Sequence, residues 1–395
     1  MRINAESRGG RDAVVVGGGV VGLSAARELA RRGLSVALTE RGHVGAEASW
    51  AAGGMLAPQS EAERADAFFR LACAARDLYP DLAAALREET GVDIELDQTG
   101  TLYVALTDAD AAECEHRYSW QSRAGLAVEQ LTGDEARALE PNVSPRAVAA
   151  LRFPSDWQVE SRRLVAALAL SARRAGVRIY EHTEASSILT SVAGRVRGIE
   201  TSRGTLEADA VVVACGAWTS LLSAGDEAGA VAAATAAVPR VEPVRGQMLC
   251  YEMGAAAPFV RHVVYSPRGY LVPRRDGRLL AGSTTERVGF DKSVTARGRA
   301  EIVSHAEEIA PALRALRLAD EWAGLRPRAD DDWPVIGPHA GIKNLFYATA
   351  HYRNGILLAP LTGRLVAEMI AGEAADELIL PFSPERFRSA ATCAG

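Results

Sequence analysis

Cysteine is scarce in this chain and never grouped. The five cysteines, Cys73, Cys114, Cys215, Cys250 and Cys393, are odd in number and form no CxxC pair. Neither a disulfide framework nor a cysteine-bound metal is expected, and a reducing compartment, the cytoplasm, is implied. The seven histidines are equally scattered, so no metal site is expected. Basic excess is also missing. With 44 Lys and Arg against 50 Asp and Glu, the net charge is −6, which gives no electrostatic footprint for nucleic acid. No apolar run reaches membrane-spanning length, and the polar first ten residues contain no signal-peptide core. Residues 1–10 read as a disordered lead. There are no internal repeats and no low-complexity segment beyond the alanine-rich stretch from Gly225 to Val238, which reads as a surface loop. What is plentiful is apolar character: 48% of 395 residues, enough for a large core and for more than one average domain.

Against that background one local pattern stands out. The apolar run Ala13 to Val16 leads into Gly17, Gly19 and Gly22, then into a helical stretch from Val20 to Arg32. A second apolar segment, Val36 to Thr39, ends in the acidic Glu40. This is the strand–turn–helix–strand–acid order of a dinucleotide site. The first glycine permits the tight turn, the second lets backbone approach a pyrophosphate, and the third lets helix pack on strand. The free N–H groups and dipole of the helix N-terminus favour phosphate, and Glu40 suits the ribose hydroxyls. The glycine turn taken alone would serve a nicotinamide cofactor equally well.

Periodicity organises the rest. Helical patterns run from about Ala62 to Thr90, Asp108 to Ala124, Thr132 to Leu139, Glu160 to Ala175, Ala296 to Ile309 and Gly355 to Ala371. Thr101 to Leu106, Val177 to Tyr180, and the segments around Ile188, Val196 and Ile199 read as strands. Ala210 to Val213 reads as a buried parallel strand in the sheet of the first, and Asn344 to Ala348 as another strand of the nucleotide unit. Glu242 to Ala281, rich in β-branched and aromatic residues with turns at Pro267–Gly269 and Asp276–Gly277, reads as an antiparallel sheet outside that unit. The fold class expected is α/β: a Rossmann-like dinucleotide domain (11–85, 152–219, 324–390) interleaved with an α+β domain carrying a mixed or antiparallel sheet (86–151, 220–323).

Two further segments carry chemistry. Ala48 to Pro58 is unusually rich in small residues. It is either a tight helix start capped by Ser49 or a side-chain-free surface laid against a flat ring, and its place just after the first βαβ unit favours the ring. His351-Tyr352-Arg353-Asn354-Gly355 precedes an apolar helix and is either a simple turn or a helix start facing an electron-rich oxygen. Arg326, between Leu325 and Pro327, reads as part of a fixed turn and could equally make an interdomain salt bridge or present its planar fork to a carboxylate. Tyr270 reads as a strand tyrosine, core or edge.

Taken in order, these pieces resemble the flavin-dependent D-amino-acid oxidase superfamily, and within it the glycine oxidases of thiamine biosynthesis. The resemblance runs from Ala13 to about Pro381. It is carried by the glycine turn, Ala51–Leu56, Glu61–Phe69, Gly269–Arg274, Trp322–Pro327 and His351–Pro360. It implies a non-covalently held FAD. Val20 and Val21 would lie under the pyrophosphate, Glu40 and Arg41 at the ribose, and Ala185 at the adenine. Ala48, Ser49, Gly53, Gly54 and Met55 would line the flavin ring, and His351, Tyr352, Arg353, Asn354, Gly355, Ile356 and Leu357 would approach its far side. It further implies Arg326 as the carboxylate anchor, with Tyr270 supplying a hydroxyl, Arg353 a second contact and Tyr265 part of the pocket wall. The implied reaction oxidises glycine, sarcosine or a small D-amino acid to the imine and then glyoxylate, with oxygen as acceptor and hydrogen peroxide as product, in a homo-oligomer such as a tetramer. A quinone-linked D-amino-acid dehydrogenase is the alternative. Arg268 and Thr285 depart from the family pattern at positions expected near the pocket mouth, and Ala350 stands where glycine is usual.

Overall fold

The computed structural model describes residues 11–226, 239–254, 258–373 and 376–387. The lead 1–10, most of the alanine-rich segment (227–238) and Cys393 lie outside the described residues. Two large sheets form the frame. In the first, of nine strands, Arg11–Val16 lies parallel between Val36–Thr39 and Gly204–Val213. Gly204–Val213 is shared along its length. Its start pairs antiparallel with Val196–Thr201, and its apolar end pairs parallel with Leu345–Thr349. The all-apolar register Val14↔Val211 and Val15↔Val212 suits a strand buried on both faces.

Helix Val20–Arg31 packs against the last long helix, Gly355–Ile370, and Gly363 makes the approach possible: a methyl there would press into the backbone of Ser24 and Ala25. The second sheet, of eight strands, is mixed. Its order places Arg317–Ala329 at one edge and Glu129–Thr132 at the other. Thr101–Ala105 joins it in parallel to Val263–Ser266. Helix Ala296–Ile309 covers one face through Ile302, Ala306 and Ile309. The other face carries Met248, Tyr270 and Trp322 toward Ala51 of the nucleotide segment. Among the described residues no helix is long and apolar enough to cross a membrane.

Two expectations change, and one element is new. The helical pattern from Ala62 to Thr90 is broken into Ala67–Asp77 and Tyr79–Thr90. Asp66 caps the first, accepting from the Phe69 N–H at 2.9 Å, and Pro80 sits at the start of the second, where its missing N–H costs nothing. Pro327 does not mark a turn. It lies inside the thirteen-residue strand Arg317–Ala329, opposite Pro243, at the sheet edge that tolerates proline. The short strand Val335–Pro338, antiparallel to Leu345–Thr349, has too few residues to signal itself by alternation.

Candidate active site

The two sheets enclose between them a cavity of about 580 Å³. Its first wall is the glycine turn. Gly17 has φ +111°, and a methyl there would run into the Ala214 carbonyl; a methyl on Gly22 would run into the Gly17 carbonyl. Those two glycines are required by the protein's own backbone. Gly19 is different: a methyl would find only Ser49 Oγ, at 3.3 Å, so its bareness serves the cavity. Ser49 does not cap its own short helix, Ala48–Ala51. Its hydroxyl accepts instead from the Val20 N–H at 3.0 Å, at the start of the nucleotide helix. Glu40 is fixed by two backbone donors, Gly18 N–H and Gly42 N–H, each at 2.8 Å. Arg41 pairs with Glu47 at 2.8 Å and lies over the Trp218 ring at 3.6 Å.

The second wall is Ala48–Met55, held from behind. The Ala51 carbonyl accepts from Trp322 Nε1 at 3.0 Å, and the Ala52 carbonyl from Ser161 Oγ at 2.8 Å. The third wall is His351–Ile356. Ala350 and Tyr352 both adopt left-handed φ, +57° and +45°. The departure from glycine at 350 therefore falls on a residue that needs positive φ.

One end of the cavity is defined by two arginines in different electrostatic states. Arg326 donates to neutral oxygens, Thr284 O at 3.0 Å and Ser283 Oγ at 2.7 Å. It makes no ion pair among the described residues, and burial pushes its pKa down. A methyl on Gly246 would overlap its guanidinium, so glycine at 246 leaves it room. Arg353, at the mouth, has Glu61 at 3.5 Å and Tyr265 Oη at 3.4 Å, and Glu61 holds its pKa up. Tyr270 donates only to the weak acceptor Met248 Sδ, at 3.2 Å, and its ring stacks on Tyr265.

Nearly all the residues anticipated from sequence meet here: Gly17, Gly19, Val20, Val21, Glu40, Arg41, Ala48, Ser49, Gly53, Gly54, Met55, Ala185, Tyr270, Arg326, His351, Tyr352, Arg353, Asn354, Gly355 and Ile356 line the cavity. Gly22 and Leu357 do not. Gly22 is the helix–strand contact, and Leu357 turns into the apolar core one position along the helix from Ile356. Arg268 and Thr285 do not line it either; Arg268 is held by Asp110 at 3.0 Å and Glu308 at 2.9 Å. The stretch Ala214–Trp218 lines the cavity but was not foreseen there, although its small residues after a buried strand carried the signal. Among the described residues Arg326 makes no salt bridge, and Cys250 is buried away from the cavity.

His351 is buried, its Nε2 3.0 Å from Thr362 Oγ1, and burial lowers its pKa to about 3. The unfolded chain takes up this proton below about 6.5 and the folded chain only near 3, so stability falls as pH drops through that window. Between pH 8 and pH 5 this costs about 2 kcal/mol. In urea unfolding at both pH values, His351→Gln is expected to lose that part of the acid sensitivity.

The residues fit FAD: a bare backbone turn, an oriented carboxylate one strand away, a small-residue wall, and a buried cation left for an anion at the far end. The profile of the DAO family, FAD dependent oxidoreductase, matches residues 12–369. Glycine oxidase of Geobacillus kaustophilus is 38% identical, covering 95% of this chain and 97% of that protein. The crystal structure of glycine oxidase from that organism superposes with a TM-score of 0.88 at 36% identity, over 95% of this chain and 98% of that one. Bifunctional protein ThiO/ThiG of a Synechocystis species is 34% identical over 95% of this chain, which spans 54% of that longer protein. Fold, cavity and full-length similarity agree, and the chain belongs to the DAO family of FAD-dependent oxidoreductases.

Proposed function

We propose that this protein catalyses the FAD-dependent oxidative deamination of glycine, and of small relatives such as sarcosine or D-alanine, to the imine, which water hydrolyses to the 2-oxo acid (glyoxylate from glycine) with release of ammonia or, from sarcosine, methylamine. Oxygen is the acceptor and hydrogen peroxide the second product. The observation that carries the reading is Arg326, a desolvated cation facing the cavity with no acid partner among the described residues. A substrate carboxylate supplies the missing charge through two parallel N–H···O bonds. Tyr270, bonded only to a thioether, can turn its hydroxyl to the same carboxylate. Arg353, already matched by Glu61, guards the mouth and acts as the outer contact.

FAD, when bound, supplies the two-electron acceptor for oxidation of the amine carbon. Gly17, Gly19, Val20 and Val21 would hold its pyrophosphate, Glu40 and Arg41 its ribose, Ala185 its adenine, and Ala48–Met55 with His351–Ile356 its ring. The protein's part is to bind the carboxylate, orient the α-carbon and exclude water. An amine that enters deprotonated requires no general base. His351, neutral at working pH, contributes shape and a hydrogen bond to Thr362.

The division into a cofactor part and a substrate part belongs to the same proposal, although the strands Ser223–Asp226 and Arg317–Ala329 each cross or overstep its limits at 219 and 324. Cytoplasmic location, a homo-oligomeric state and supply of the imine to thiamine thiazole synthesis complete the reading. Gly246→Ala provides a test that leaves Arg326 itself unsubstituted. Its methyl displaces the guanidinium, and KM for glycine in a peroxide-coupled assay is expected to rise about tenfold or more, while FAD content stays at the parent level.

A further inference from the structure

A second buried arginine stands behind the small-residue wall. Arg274, 6% exposed, donates to the Gly53 carbonyl at 2.5 Å, the Val159 carbonyl at 2.9 Å and Gln158 Oε1 at 3.0 Å, all neutral oxygens. Among the described residues it makes no ion pair. Glu160, next in the chain to Val159, accepts from Arg278 at 3.2 Å and from the Arg163 N–H at 2.8 Å. Burial lowers the Arg274 pKa to about 10, which leaves it charged at neutral pH. A desolvated cation held only by dipoles is costly, and a neutral side chain of similar volume would be cheaper to bury.

Peptide geometry shows what the charge does. Gly53 and Gly54 line the cavity; Arg274 does not. The Gly53 carbonyl is turned away from the cavity onto the guanidinium, so across the trans peptide the Gly54 N–H points the opposite way. That N–H has no hydrogen-bond partner among the described residues. Gly54 has φ +74°, and a methyl on it would collide with the Val159 carbonyl and press on the guanidinium at 3.0 Å. The turn is built around Arg274.

We propose that Arg274 is a positioning residue for the bound ring: it fixes the Gly53–Gly54 amide so that the Gly54 N–H is presented to the flavin, and its charge, relayed by that aligned amide, favours the reduced and more negative ring. Aligned dipoles polarise one another, and a preorganised donor in a dry site stabilises developing negative charge most effectively. This inference rests on the FAD reading above.

The test compares holoenzymes of the parent, Arg274→Lys (charge kept), Arg274→Gln (neutral donor kept) and Arg274→Met (neither). The readouts are midpoint potential by dye equilibration, FAD dissociation constant by equilibrium dialysis, and the visible flavin spectrum. Arg274→Met is expected to shift the potential to more negative values, move the spectrum and raise the FAD dissociation constant about tenfold or more. Arg274→Gln is expected to share the potential shift, and Arg274→Lys to restore the potential while binding FAD more weakly than the parent, because a point charge cannot span Gly53 and Val159. Should the methionine variant not fold, the glutamine–lysine pair decides. Equal potentials in those two, or parent values of potential and spectrum in a folded methionine variant, overturn the proposal. A parent protein that takes up no FAD overturns the cofactor reading itself, a distinct outcome.

Discussion

Arg326→Ala is expected to raise KM for glycine at least about tenfold, with the visible flavin band and FAD content kept at parent values. A charge-assisted hydrogen bond contributes about 1.5–3 kcal/mol, and the pair of such bonds to a carboxylate is lost together. The effect falls on substrate and not on fold, because among the described residues Arg326 hydrogen-bonds only to Thr284 O, Ser283 Oγ and the Arg245 carbonyl. Removing a desolvated cation offsets the lost bonds, so the unfolding midpoint of the variant is expected to stay close to that of the parent. Steady-state kinetics showing an unchanged KM would remove Arg326 from the site. Arg353 gives the internal comparison: with its charge already matched by Glu61, Arg353→Ala should cost less.

The second large effect concerns the glycine turn, where the structure separates two kinds of glycine. Gly19→Val is expected to yield folded apoprotein with FAD affinity lowered at least about a hundredfold, since a rigid side chain forced into a packed contact costs on the order of 3 kcal/mol. A first methyl there meets only Ser49 Oγ, at 3.3 Å, and no backbone of the protein. Gly17→Ala should behave differently. With φ at +111° and the Ala214 carbonyl in the way, its cost of about 3 kcal/mol or more falls on folding. Circular dichroism together with FAD titration distinguishes the two. A Gly19→Val protein that purifies fully yellow would move the pyrophosphate elsewhere.

Some of this was legible in residues alone because local patterns and tertiary roles coincided. The run Ala13–Val16, the spacing of Gly17, Gly19 and Gly22, and Glu40 at the end of the next strand each report a backbone requirement, and the fold uses them in that order. Helix Ala296–Ile309 is legible for the same reason: Thr295 caps it, accepting from the Gly298 N–H at 3.0 Å, and its apolar positions recur along one face. In the sequence alone, Pro327 makes Arg326 read as a turn residue. Proline disfavours a central strand, and only the assembled sheet shows that Arg317–Ala329 is an edge. Arg268 looked like a pocket residue until two carboxylates distant in sequence, Asp110 and Glu308, closed on it. The buried supports are the least legible. Asp156, whose carboxyl accepts from the Gln59 and Ser60 N–H groups at 2.9 and 2.7 Å and is pushed by burial up to about 7, carries no local pattern at all. Long-range partners that hold backbone leave no periodic trace in a single sequence.

The most direct measurement mixes the purified yellow protein with glycine in the absence of oxygen and follows the visible flavin absorbance. Rapid bleaching that admission of air reverses, with hydrogen peroxide released in step, is the expected result. A flavin that stays oxidised with glycine, sarcosine and D-alanine alike, in a folded and FAD-replete protein, would contradict it.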